Sequence, residues 1–318
     1  MISLSLLLFS VVLGTASACE CGPNAPQLAG VDAYARWFHE TRAVPPFVTR
    51  TSPLPLEEQR SLSSRVAVVV PYRDRAAQLE AFVAHMAFFL GRAVGDRARY
   101  RLFVVEQADG GLFNRGALLN AGFRIATSGE GPAPAFRPTH VIFHDVDALP
   151  DAATLLPWYA APPPRGACYH LASPAWFEGK YTFDTFFGAI LSVRPDDFVT
   201  ANGFPSSFDG WGGEDDALLH RLSAGCDGAR NTTTVYRPRR GRFRHLPHPP
   251  ENVEAGGVSR EHMAIARAVV EDQCRWRGDG LSSGGAFAAV GEPTPLLAVD
   301  EVSQKKGVVG FLIKVRRQ

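Results

Sequence analysis

Charge of one sign is what this sequence most plainly lacks. Its 33 Lys and Arg residues stand against 32 Asp and Glu, a formal net charge of +1 over 318 residues. That balance removes the electrostatic reason to expect a nucleic acid or an anionic membrane surface as partner. Cysteine is sparse too: of Cys19, Cys21, Cys168, Cys226 and Cys274, no two have the spacing of a zinc site. An oxidising compartment could join one or two pairs of them, and two pairs would leave one thiol over. There is no internal repeat and, after the N-terminus, no second long apolar span. With 46% hydrophobic and 20% charged residues, the composition is that of an ordinary globular chain, enough for one large domain or two small ones.

The N-terminus is where apolar residues do run together. Residues 2–13 are apolar or small, and Ala16-Ser17-Ala18 precedes Cys19. A short apolar core ending in a small-x-small triplet reads as a cleaved signal peptide, although no Lys or Arg precedes it. A short signal anchor is the other reading, and the run falls below the roughly 20 residues of a comfortable span. Asn231-Thr232-Thr233 is an acceptor sequon for N-glycosylation, which agrees with a lumenal location. Residues 19–62 are rich in Pro, Ser and Thr and read as a stem. Within them, residues 31–40 have the pattern of a short helix carrying Tyr34, Trp37 and Phe38.

From Arg65 the pattern becomes regular. Val66-Ala67-Val68-Val69-Val70 is a continuous apolar run stopped by Pro71, as expected of a strand buried on both faces. After Asp74, which suits an N-cap, Leu79, Phe82, Val83, Met86, Phe89 and Leu90 share one helical face. A second run covers 102–105, residues 116–126 are again helical in period, and a third run, Val141-Ile142-Phe143, ends in His144-Asp145-Val146-Asp147. Strand, helix, strand, helix, strand predicts an α/β domain with a mostly parallel central sheet. Polar clusters just after such strands fall at the carboxyl edge, where ligands bind. Beyond residue 285 the pattern weakens into a basic end containing Lys305, Lys306, Lys314, Arg316 and Arg317, with no residues that read as catalytic.

Four groups of residues carry chemistry. Asp145 and Asp147 flank one residue at a strand end; two neighbouring acids repel unless a cation joins them, though they could equally cap a helix. His245 and His248 lie three apart around Pro247 and can converge on one ion where the backbone turns. A carboxylate with two imidazoles also suits non-haem iron, but that site wants His-x-Asp on a β-sandwich, and here His144 abuts Asp145 in an α/β pattern. Trp211-Gly212-Gly213-Glu214-Asp215-Asp216 puts three acids at a helix start, which the helix dipole alone would tolerate. The Trp and paired glycines ahead of them point instead to an aromatic platform for a sugar ring, beside carboxylates that can bind hydroxyls or accept a proton. Arg73, Arg75, Phe113 and Arg115 follow strands and suit a phosphate and a base, or else solvent-facing ion pairs.

Taken in order, these segments resemble the β-1,4-galactosyltransferase family. The matching stretches are Pro71-Tyr-Arg-Asp-Arg75, Phe113-Asn-Arg-Gly-Ala-Leu-Leu-Asn120, Asp145-Val-Asp147, Phe187-Gly188, Asn202-Gly-Phe-Pro205, the 211–216 hexapeptide and His245 to His248. They span about residues 65–285. Tyr169-His-Leu-Ala-Ser-Pro174 and the paired histidines lean toward the subfamily acting on xylosylprotein. The resemblance implies a single GT-A-type nucleotide-sugar-binding domain, a Mn²⁺ cofactor, a UDP-galactose donor, a glycan or xylosylated acceptor, and no nucleic-acid partner. It implies Asp147, His245 and His248 as metal ligands. Arg73, Arg75, Phe113, Arg115 and Asp145 would lie on the donor nucleotide, Phe186, Gly188 and Ala189 around its galactose, and Trp211 on a closing loop touching both substrates. Asp215 would be the catalytic base, with Glu214 and Asp216 holding the acceptor.

Three departures from the family pattern bear on the substrates. Asp209 stands where the family commonly has a Trp, which should weaken acceptor stacking. Ala189 replaces a Gly near the sugar, and the histidines are His-x-x-His where the subfamily acting on xylosylprotein usually has His-x-His. The implied reaction is an inverting, single-displacement transfer in the lumen of the secretory pathway, with the Golgi as expected compartment. A UDP-N-acetylgalactosamine or UDP-glucose transferase, and an inactive sugar-binding homologue, are the alternatives. The expected division is a leader or short membrane anchor over 1–18, the stem over 19–62, a catalytic domain over 63–290 and a C-terminal tail over 291–318.

Overall fold

The computed structural model describes residues 48–52, 64–129, 131–173, 186–210, 212–223, 233–247, 272, 276–283, 287–299 and 306–318. The leader, the helix expected over 31–40, Trp211, Asn231, His248 and every cysteine but Cys168 lie outside the described residues. Cys168 is a buried free thiol, and burial pushes its pKa up. Among the described residues no helix is long and apolar enough to cross a membrane.

The centre of the fold follows from the apolar runs. They form β2 (Val66–Tyr72), β3 (Tyr100–Gln107) and β4 (His140–His144), with β2 paired in parallel to both neighbours. All seven residues of β2 are buried. Val66, Val68 and Val70 enter one apolar layer, while Ala67 and Val69 enter the other, so the strand is covered on both faces. The first layer is closed by α1 (Ala76–Val94) through Phe82, Val83, Met86, Phe89 and Leu90. The second is closed by α2 (Arg115–Thr127). A Cβ on Gly122 of α2 would lie 2.3 Å from a methyl of Val69 and 2.8 Å from one of Val105. Only hydrogen at that position lets the helix approach the sheet this closely.

Helix α1 begins one residue later than the sequence predicts. Asp74 is not its N-cap; it takes a positive φ of 52°, a conformation that Asp tolerates better than most residues, and Arg75 flanks the helix without a side-chain cap. Helix α2 is capped as its sequence suggests, Asn114 Oδ1 accepting from Ala117 N at 2.8 Å.

The remaining elements widen the sheet. In chain order they are β1 (Val48–Ser52), β5 (Ala148–Pro150), α3 (Leu156–Ala160), β6 (Ala167–His170), β7 (Ile190–Val193), α4 (Pro195–Thr200), α5 (Glu214–Ser223), β8 (Thr234–Pro238), β9 (Phe243–His245), β10 (Phe287–Ala289), β11 (Thr294–Val299) and β12 (Lys306–Arg317). The order across the sheet is β1-β8-β6-β7-β4-β2-β3-β12-β10, with β11 also on β12, while β5 and β9 form a separate ribbon. Parallel pairs join β1, β8 and β6, and β4, β2, β3 and β12; β7 is antiparallel to both of its neighbours. The α/β, mostly parallel sheet expected from the sequence is therefore present.

Two expected boundaries are corrected. Residues 291–318 are not a tail, because β12 runs parallel beside β3 with Gly310 to Val315 opposite Leu102 to Gln107, and it carries β10 and β11 on its other side. Residues 48–52, assigned to the stem, form β1 against β8. The basic residues of 305–317 hid β12, whose Val309, Ile313 and Val315 are buried in alternation with exposed Lys314 and Arg316. Burying those three side chains contributes about 5–9 kcal/mol, comparable to the whole net stability of a domain. Deleting residues 306–318 should therefore abolish cooperative unfolding, as read by circular dichroism during heating. A truncated chain with a wild-type melting curve would contradict the placement of β12.

Candidate active site

In this sheet β2 leads through α1 to β3, and β3 leads back through α2 to β4 on the far side of β2. The crevice at the carboxyl ends of β2 and β4 lies where the winding reverses, the place such sheets bind ligands. Both Arg73-Asp74-Arg75 and His144-Asp145-Val146-Asp147 open there.

The four residues leaving β4 have separate fates. His144 is fully buried. Its Nδ1 lies 2.8 Å from the carbonyl of Asp145, so that nitrogen donates, and Nε2 accepts from the Tyr159 hydroxyl at 2.9 Å. Burial pushes its pKa down to about 4, leaving a neutral ring with both nitrogens engaged. Val146 enters the core. The carboxylates of Asp145 and Asp147 each meet a different arginine: Asp145 accepts from Arg115 Nε at 3.0 Å and Asp147 from Arg75 Nη1 at 3.3 Å. Arg73 donates to the carbonyl of Gly111 at 2.7 Å, and its guanidinium lies 5.3 Å from the centre of the Phe113 ring. The expected nucleotide residues thus line one crevice.

The β5–β9 ribbon brings His245 to the same place. Ala148 is opposite His245, and Leu246 N donates to the carbonyl of Asp147 at 2.7 Å. A residue about 100 positions away is thereby fixed beside Asp147 by backbone pairing, not by chance proximity. One oxygen and one nitrogen donor suit a divalent first-row metal. Among the described residues no group of three or more His, Cys, Asp or Glu side chains is arranged to hold a metal ion, and the expected third ligand, His248, lies outside them.

Arg115 joins the two halves of the site. Its Nη1 donates to Asp215 at 2.7 Å and to Glu214 at 3.1 Å, while its Nε holds Asp145. Glu214 and Asp215 open α5, where the three acids sit in the first turn. Gly212 and Gly213 ahead of them take φ of 97° and 89°, which side-chain-bearing residues avoid. Burial alone would lower the pKa of Arg115, but Asp145, Asp215 and Glu214 raise it well above its ordinary value. Burial pushes Asp215 up well above the ordinary carboxylate range; Arg115 opposes this, and Glu214 and Asp145 add to it. The Asp215 side chain is still 26% exposed, so this carboxylate can be reached from the crevice. Asp216 lies partly exposed on the same turn.

The segment from Phe186 to Ala189 forms the adjoining wall. A Cβ on Gly188 would sit 2.7 Å from Asp215 Oδ2, so a side chain here would displace that carboxylate. The Gly188 carbonyl accepts from His170 Nε2 at 2.9 Å, and the Phe186 carbonyl from Arg237 at 2.6 Å. His170 packs against Phe186 and Phe187, and burial lowers its pKa to about 3. Ala189 accepts from Asp145 N at 3.2 Å through its carbonyl and takes a φ of 67°.

Sequence reasoning missed His170, Arg237 and Asn114 as supports. Only Asn114, an Asn just ahead of a helical period, carried a signal that could have revealed its role. Asp209, which stands where the family commonly has a Trp, has partners of its own. Its carboxylate accepts from Asn114 Nδ2 at 3.0 Å and is paired with Arg317. Holding a methyl-bearing residue in the left-handed region costs about 1–2 kcal/mol, partly offset by the entropy a glycine loses on folding. Ala189→Gly should thus raise the urea midpoint by an amount equivalent to about 1 kcal/mol; a lower midpoint would show that the methyl packs productively.

Comparison with known proteins fits this arrangement. Residues 54–156 match the family model described as the N-terminal region of glycosyl transferase group 7, and residues 169–249 match the one described as the N-terminal domain of galactosyltransferase. Beta-1,4-galactosyltransferase 3 of Homo sapiens is 32% identical over 221 residues, covering 69% of this chain and 51% of that protein. The chain thus spans about half the length of such relatives. Beta-1,4-galactosyltransferase 7 of Mus musculus is 32% identical over 260 residues, covering 78% and 72%. The catalytic domain of Drosophila beta1,4-galactosyltransferase 7, solved with xylobiose, superposes with a TM-score of 0.60 at 26% identity over 80% of this chain and 94% of that one. A mutant of the same Drosophila enzyme was solved with manganese, UDP-Gal and xylobiose. Its α/β sheet is that of the GT-A glycosyltransferases, and with this identity across most of a relative's length the chain belongs to the β-1,4-galactosyltransferase family.

Proposed function

We propose that the protein transfers galactose from UDP-galactose, with inversion, to a hydroxyl of a xylose-type acceptor on a glycoconjugate, forming a β-1,4 linkage in the lumen of the secretory pathway, in the Golgi. The observation that carries this reading is the convergence of Asp145, Glu214 and Asp215 on Arg115 at the crevice. The relatives and the Drosophila complex support the donor and the acceptor class.

In this mechanism Asp215 accepts the proton of the acceptor hydroxyl as that oxygen attacks the anomeric carbon from the face opposite UDP. Its raised pKa makes it a stronger base than an ordinary carboxylate, and Arg115 favours its ionised form and orients it. Glu214 and Asp216 position acceptor hydroxyls, and Trp211 covers the sugars. Arg73 and Phe113 hold the nucleotide, while Phe186, Gly188 and Ala189 bound the galactose. Phe186 fills the space an N-acetyl group would need and offers it no hydrogen-bonding group, which favours galactose over N-acetylgalactosamine. Asp147 and His245, with His248, would hold Mn²⁺, which when bound offsets the charge developing on the diphosphate.

The direct test is transfer from UDP-galactose to a xyloside in Mn²⁺, with N-acetylglucosaminide acceptors and the acetamido and glucose donors in parallel. Asp215→Asn should lower kcat by about 10²–10⁴-fold, while wild-type kcat/KM falls with decreasing pH at a midpoint above the ordinary carboxylate range. A raised native pKa means the folded protein binds this proton more tightly than the unfolded chain does. The ionised carboxylate therefore detracts from stability at neutral pH, a deficit that shrinks as pH falls through the raised value and is gone below the ordinary one. Asp215→Asn should accordingly keep or raise the melting temperature. Near-normal turnover in the variant would remove Asp215 from the mechanism.

His245→Ala should raise the Mn²⁺ concentration for half-maximal activity by about tenfold or more, measured by titration of the purified protein. Superimposable titrations would place the metal elsewhere.

A further inference from the structure

The end of β12 reaches the active-site crevice through a chain of polar contacts that the family reading does not use. Arg317 donates from Nη1 to Asp209 Oδ2 at 3.1 Å, from Nη2 to Asp209 Oδ1, and from Nη2 to the Leu112 carbonyl at 2.7 Å. Its backbone N–H donates to Asp109 at 3.1 Å. Asp209 also accepts from Asn114 Nδ2, which donates to the Ser206 carbonyl at 2.8 Å as well. Asn114 Oδ1 caps α2, and Gly210 N donates to the Phe113 carbonyl at 2.9 Å. One polar cluster therefore binds three segments: the end of β12, the 107–114 loop, and the 206–210 loop. The second segment leads directly into Arg115. The third leads, through Gly212 and Gly213, into Glu214 and Asp215.

The geometry of these contacts explains why Asp stands at 209. The carboxylate has two oxygens, and here both face the guanidinium fork while one also meets the amide, a pattern that an aromatic ring or a lysine partner could not reproduce. Because Gly212 and Gly213 are intrinsically permissive, the start of α5 needs a fixed point upstream. Asp209 is that point. Without it the spacing between Arg115 and Asp215 rests on the ion pairs of Arg115 itself with Asp215, Glu214 and Asp145.

We propose that Arg317 is a positioning residue for the transfer reaction. Through Asp209 and Asn114 it holds the starts of α2 and α5 in register, so that Arg115 and Asp215 meet in one productive arrangement. It touches neither substrate. This deepens the proposed galactosyl transfer and rests on it for its kinetic readout, while its structural readout is independent.

The experiment uses the full chain with Mn²⁺, UDP-galactose and a xyloside. Arg317→Gln and Asp209→Asn should each lower kcat about tenfold, as misplacement of a base by a fraction of an ångström does, with the KM for UDP-galactose within about twofold of wild type. The double variant should be no slower than either single one, since both remove the same link. Arg316→Gln, at the exposed neighbouring position, should leave kcat unchanged. Hydrogen exchange gives the independent readout: amides at 115–118 and 214–217 should exchange about tenfold faster in Arg317→Gln than in wild type. Asp209→Asn lies outside the sheet and keeps the test decisive if Arg317→Gln folds poorly. Wild-type kcat in both single variants, or additive losses in the double, would overturn the proposal. Unchanged exchange at both helix starts would do the same. If wild type transfers no galactose but exchange still rises in the variants, the positioning role stands and the assigned reaction fails.

Discussion

Everything at this site depends on the placement of one arginine. Arg115 sits 14% exposed with carboxylates of Asp145, Glu214 and Asp215 around it, an arrangement in which like charges are brought together away from bulk water. Such a cluster is tolerable only because a planar guanidinium can donate to several oxygens at once. Removing the guanidinium would leave three acids facing one another, so Arg115 and its partners form a single unit. That unit spans the chain from the start of α2 to the start of α5, and it includes the exit of β4. The crevice is therefore a consequence of an electrostatic closure as much as of the sheet beneath it.

The sheet supplies the frame on which this closure is possible. Because β2 is buried on both faces, helices α1 and α2 are forced to opposite sides, and the loops leaving β2 and β4 open between them. The contact of Gly122 with Val69 and Val105 fixes how far α2 stands off, and hence where Arg115 at its start can reach. The β5–β9 ribbon does the equivalent on the other side of the crevice, setting His245 beside Asp147 by main-chain register. Side-chain chemistry is thus placed by backbone geometry in both halves.

How much of this is legible in the sequence follows from how local each signal is. Strands β2, β3 and β4 are written as uninterrupted apolar runs because both faces are covered, and α1 shows its face because 3.6-residue spacing survives over five turns. Strand β12 is not legible: an edge-ward, mixed strand alternates Val and Ile with Lys and Arg, and the same letters describe a solvated basic tail. Strand β1 is hidden by surrounding prolines. The three-residue ribbon of β5 and β9 is too short for any periodicity, so the neighbourhood of Asp147 and His245 could be expected only from the family resemblance. Asp209 is the clearest lesson. As a departure from the pattern it reads as a lost ring, and its pairing with Arg317, 108 residues later in the chain, leaves no local trace in the sequence.

The costs in this fold are concentrated where chemistry is proposed. Ala189 stands in a left-handed conformation, burial and two other acids push the Asp215 pKa up against the opposing charge of Arg115, and Gly188 and Asp215 are so close that no side chain fits between them. Each of these disfavours the folded state locally, and a sequence selected for stability alone would relax them. They persist because the surrounding elements over-determine the geometry: β7 follows directly after Ala189, Asn114 caps α2 as it holds Asp209, and His170 and Arg237 tether the carbonyls of Gly188 and Phe186. A reactive carboxylate needs to be costly, since a fully satisfied one would be a weak base. The rigid contacts around Asp215 keep its carboxylate reachable and in one place.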